Sequence, residues 1–128
     1  PGANFGCGVD GMPDSWPLCG GEIVDSIEDW VAQSQMIHRW FVGTMLFVFI
    51  SASYLVKDED RVLRNWIWSS TALFLTNTLI GATYVLSWDV EEGFFEYLSL
   101  VHLMLASITF LTIATAWLGC ITAREEGY

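Results

Sequence analysis

Gln35-Met36-Ile37-His38-Arg39-Trp40-Phe41-Val42-Gly43-Thr44-Met45-Leu46-Phe47 opens an apolar run that meets no further charge until Lys57. A continuous run of this length is what a helix needs to cross a hydrocarbon core, about 20 residues at a rise of ~1.5 Å each. Ionisable side chains are costly at membrane depth and mark candidate functional positions there, so His38 and Arg39 at the head of the run stand out. Leu100-Val101-His102-Leu103 occupies the corresponding place in another such run, and these two histidines are the chain's only ones.

Between them lies a third apolar run, so helices are expected at about 26–56, 66–87 and 98–120, the first crossing the membrane from about residue 38. Ser26 followed by Asp29 gives a helix start, and 26–37 reads as an amphipathic approach with Trp30 and Trp40 at headgroup level. The second run is rich in small and hydroxyl residues, Ser69, Ser70, Thr71, Thr76, Thr78, Gly81, Ala82 and Thr83. Small residues let helices approach closely in lipid, which makes this helix the expected packing centre. Trp88 and Trp117 mark the ends of the second and third runs.

Composition agrees with this reading. The chain has 128 residues, room for one domain, and 53% of them are hydrophobic, with a mean hydropathy of +0.44. The expected fold class is all-α, a polytopic membrane helical bundle over residues 26–128 with three transmembrane helices, preceded by a loop over residues 1–25.

The net charge is −10, yet the five basic residues are unevenly placed. Lys57, Arg61, Arg64 and Arg124 fall at one end of the runs, and Arg39 alone at the other. Positive residues in short loops mark the cytoplasmic face. The 57–65 loop and the C-terminus are therefore expected inside a cell membrane, with the N-terminal loop and the 88–97 loop outside. The outer segments carry Asp10, Asp14, Glu22, Glu28, Asp29, Glu91, Glu92 and other acids, which would repel nucleic acid. Such acidity fits a high-salt habitat or a basic partner subunit.

Cys7 and Cys19 lie in the Gly- and Pro-rich outer loop, where an oxidising environment favours a disulfide, while Cys120 lies near the inner end of the last run. The sequence begins at Pro1 rather than Met, and an upstream segment is expected.

If the first and third helices run in the same direction, His38 and His102 enter at similar depth. A lone interfacial histidine is often no more than a hydrogen-bonding group, but two facing each other are a candidate pair of axial ligands to one haem iron, neutral imidazole being a standard haem ligand. Arg39 is then a donor to a haem propionate, with an interfacial anchor or a salt-bridge partner as the other readings. Met36 and Met104 are displaced around their helices from the histidines. A copper or zinc site lacks ligands at close spacing. No nucleophile triad or phosphate-binding glycine loop is present.

Gly6-Cys7-Gly8, then Asp14-Ser15-Trp16-Pro17-Leu18-Cys19-Gly20-Gly21, followed by a helix opening on His38-Arg39, resembles the haem A synthase family. The resemblance covers nearly the whole chain. It implies half of a four-plus-four helix architecture, one helix preceding Pro1, a His38–His102 haem site and oxidation of the haem O methyl group to a formyl. Haem B, O or A are the implied cofactors. A homo-oligomer, or a place as subunit of a larger respiratory complex, is the implied assembly, with membrane lipid around it. In the family a Glu stands three residues before the first His, where this chain has Gln35, and Val9 to Pro13 reads as an insertion. Gln35 and Glu28 are the candidate catalytic residues, with Glu22 or Asp29 as further acids. The departure at Gln35 leaves open a non-catalytic haem-b carrier or a purely structural subunit of a respiratory or photosynthetic complex.

Overall fold

The computed structural model describes Cys7, residues 16–19, Gly21, residues 30–87 and residues 96–125, with side chains to Thr122. The expected helix start at 26–29 and the 88–95 loop with Trp88 lie outside the described residues. Among those described, the chain is all-helical without strands: α1 spans Trp30–Leu55, α2 Arg61–Leu86 and α3 Glu96–Glu125.

α2 begins at Arg61, earlier than the apolar run at 66. Asp60 supplies the cap, its carboxylate accepting from the Val62 amide at 2.8 Å, so the polar turn Arg61–Arg64 winds into the helix. The hairpin before it is tied locally: Lys57 sits 4.5 Å from the centre of the Tyr54 ring and Arg64 donates to the Lys57 carbonyl at 3.4 Å. At the other end of α2, Ser87 caps the helix by donating its amide to the Tyr84 carbonyl.

Burial is inverted relative to a water-soluble bundle. The buried positions are chiefly small or polar, Ala32, Ser53, Ser70, Asn77, Ala82 and Thr109, whereas Trp30, Phe47, Leu55 and Phe110 are each 70% exposed or more. Only 17% of the apolar stretch of α1 and 6% of that of α3 is buried within the chain, leaving broad apolar faces without a covering element. Both are long and apolar enough to cross a membrane. α2 is as long as α1, at 26 residues, but does not reach the same apolarity, so the structure carries two such helices rather than the expected three. The reason is the residues that suit α2 for packing: Ser69, Ser70, Thr71, Thr76, Asn77, Thr78 and Thr83 dilute its apolar side chains.

The hydroxyls are compatible with lipid because their own helices satisfy them. Thr76, Thr83, Thr112 and Thr115 each donate to the carbonyl four residues earlier, at 2.8–2.9 Å. Thr71 does the same toward Ile67 and also meets Ser53 of α1 at 2.8 Å, a hydroxyl pair across the helices. Beside it Phe49 stacks on Phe74, ring centres 4.8 Å apart. α2 packs against both neighbours, while no Cα of α1 comes within 8 Å of α3. α2 is thus the packing centre its small residues forecast.

Candidate functional site

α1 and α3 run in the same direction on either side of α2, which brings their first turns to one end of the bundle. There the His38 and His102 rings approach edge-on, centres 6.5 Å apart and planes inclined at 75°. His38 is exposed and His102 half-buried. Both side chains lie between helices whose backbones do not touch. His102 is held from α2: its Nδ1 donates to the Asn77 carbonyl at 3.0 Å, and its ring lies against Gly81.

The described residues of the Cys loop pack against α1 near the same end. Cys7 and Cys19 form the expected disulfide, both sulfurs belonging to fully buried residues, and Cys120 is free and exposed. Ala32 and Met36 of α1 pack with the disulfide in one apolar cluster. Met36 is therefore occupied by the loop, and Met104 is 58% exposed on α3. The Trp16–Pro17 peptide is cis, and Gly21 at the end of the loop has φ 78°, a left-handed conformation that glycine adopts without a side-chain clash.

Arg39 reaches from α1 into this loop. Its Nη1 donates to the Leu18 carbonyl and, at 3.4 Å, to that of Pro17. The partners are carbonyls, a role the sequence did not suggest. Its Nη2 is buried without a hydrogen-bond partner, as is Oδ1 of Asn77. Among the described residues these are the only buried side-chain polar atoms left so.

Gln35 is half-buried on α1, about one turn before His38. Its amide donates and accepts hydrogen bonds but does not take up a proton near neutrality. Glu28, Glu22 and Asp29 lie outside the described residues. Among the described residues no three His, Cys, Asp or Glu side chains gather into a metal site. A shallow depression lined by Val62, Asn65, Trp66 and Ser69 lies toward the hairpin end of α2, away from the histidines.

Sequence reasoning named both histidines and the arginine and counted Gly81 among the small packing residues of the second helix, but passed over Asn77. No side chain signalled the contact of these two residues with His102, which uses the backbone carbonyl of Asn77 and the bare Cα of Gly81. The chain matches no family model, no curated protein and no solved structure.

Proposed function

We propose that this chain is a membrane haem protein of haem A synthase type, holding one haem between His38 and His102. The observation that carries the reading is the spacing of the two rings. Two neutral imidazoles close together at one end of the bundle would serve as the pair that holds one haem iron. The rings of His38 and His102 stand at 6.5 Å. Arg39, next to His38 on α1, adds a second point of support, since its unpartnered Nη2 is a charged donor suited to a carboxylate such as a propionate.

The membrane placement belongs to the same reading. α2 would be a third span, sheltered between α1 and α3. The Cys loop would be extracytoplasmic, with the 56–60 hairpin and the C-terminus on the cytoplasmic side of the cell membrane. Lys57, Arg61, Arg64 and Arg124 support that orientation.

Bound haem supplies one-electron redox chemistry. The protein's part is to offer two neutral imidazole nitrogens and a guanidinium for a carboxylate. On the resemblance, the reaction is oxidation of the haem O methyl group. Gln35 favours a second reading, a haem-b carrier without that activity, because an amide does not serve as general acid or base.

Extraction of pigment from the purified protein tests both. Haem O or A supports the synthase, haem B alone the carrier, and a protein with no haem contradicts the proposal.

A further inference from the structure

Resting on the haem-site reading, we infer that Gly81 is a positioning residue: its missing side chain bares the Asn77 carbonyl to His102, which fixes the ring as the Nδ1–H form and frees Nε2 as the ligand atom.

In an α-helix the carbonyl of residue 77 already accepts the amide of residue 81, and each Cβ leans toward the N-terminus, over the preceding turn. The side chain at 81 is therefore the one that shields the carbonyl at 77 from a neighbouring helix. At Gly81 that shield is absent. A Cβ built there would meet the His102 ring at 2.9 Å from Cε1, 3.2 Å from Nδ1 and 3.7 Å from Nε2. The first distance is closer than side chains tolerate, and the obstruction is an imidazole already tied to a carbonyl. Ring and Cβ do not share the space.

A glycine within a helix costs about 1 kcal/mol relative to alanine. Gly43 and Gly119 carry that cost with open space where a Cβ would be, whereas Gly81 has a ring there. The bond itself settles the tautomer. A carbonyl oxygen only accepts, so Nδ1 must carry the hydrogen, and in a neutral ring Nε2 then holds the lone pair. Metal-bound histidines commonly donate their second nitrogen in this way, which fixes ring orientation and raises ligand basicity.

The chain's two histidines make the test legible, because a protein labelled with 15N-histidine yields signals from only two imidazoles, assigned with the His38→Ala variant. In the haem-free full chain in detergent, with neutral rings, His102 is expected as a single Nδ1–H tautomer. Gly81→Ala is expected to give a mixture of tautomers, while Gly43→Ala leaves the spectrum unchanged. Asn77→Ala, which keeps the backbone carbonyl, is expected to keep the Nδ1–H form. In the haem-loaded protein Gly81→Ala should shift the low-spin electron paramagnetic resonance signal with haem still bound. An Nε2–H form of His102 in the unaltered chain, or an unchanged tautomer in Gly81→Ala, overturns the inference. Failure of the unaltered chain to bind haem defeats the haem reading instead, and the tautomer measurement still decides the role of Gly81.

Discussion

The two ends of the bundle are built on the same central helix and finished in opposite ways. At the hairpin end α1 and α2 close on each other through the Ser53–Thr71 hydroxyl pair and the Phe49–Phe74 stack. At the Cys-loop end α1 and α3 stand apart, and the imidazoles of His38 and His102 lie between them. Both described polar atoms buried without a partner, Arg39 Nη2 and Asn77 Oδ1, belong to residues of the second end. Leaving such atoms unsatisfied costs about 1–3 kcal/mol each, and more for a charged group. Among the described residues the hairpin end has no such atom, whereas the other end carries two, a cost that packing alone does not explain.

The largest change expected short of the histidines themselves is at the closed end. Phe49→Ala should destabilise the bundle by about 3 kcal/mol through the cavity it leaves in the Phe74 stack. Chemical unfolding in detergent measures it, and any haem spectrum should stay where it is. A shifted spectrum would mean that the two ends are coupled. Opening the disulfide with Cys7→Ser should cost about 3 kcal/mol, the chain-entropy value for closing so short a loop. Because Met36 and Ala32 pack on that disulfide, the loss should come with increased protease cleavage in the loop.

Arg39→Ala should weaken haem retention about 10-fold, equivalent to ~1.4 kcal/mol, with the low-spin spectrum preserved. Arg39→Lys keeps the charge without the forked donor and should recover part of that loss, as read from haem transfer to an acceptor protein. Retention equal to that of the unaltered chain in both variants would remove the arginine from the site. The smallest effect belongs to Thr71→Val, which deletes the bond to Ser53 and should cost about 1 kcal/mol in the same unfolding assay. A cost several times larger would show that the hydroxyl pair, rather than the aromatic stack, closes the hairpin end.

Much of this contrast was legible in the sequence, and the illegible parts have identifiable causes. Run length revealed α1 and α3, and the head of each run revealed His38 and His102. The start of α2 was missed because hydropathy is blind to a cap: Asp60 pulls the charged turn at Arg61–Arg64 into the helix. The same helix illustrates a limit in the other direction. Its hydroxyls mark it as the packing centre and also lower its apolarity below that of a free-standing span. The disulfide was readable from two cysteines in one loop, but the position of the loop over Ala32 and Met36 was not, since no sequence pattern encodes a contact between a loop and a helix face. Arg39 was read as facing a carboxylate; its hydrogen bonds to the Pro17 and Leu18 carbonyls depend on how the loop folds back. Asn77 serves through its backbone carbonyl and Gly81 through an absence, and neither kind of role has a side-chain signature.

The central claim is that the open end holds one haem between two imidazoles. Its most direct test is the electron paramagnetic resonance spectrum and haem content of the purified full chain beside its His102→Ala variant. The account predicts one low-spin, bis-imidazole haem per chain in the unaltered protein and loss of that low-spin signal in the variant. A low-spin spectrum unchanged in His102→Ala, or no haem in the unaltered chain, would contradict it.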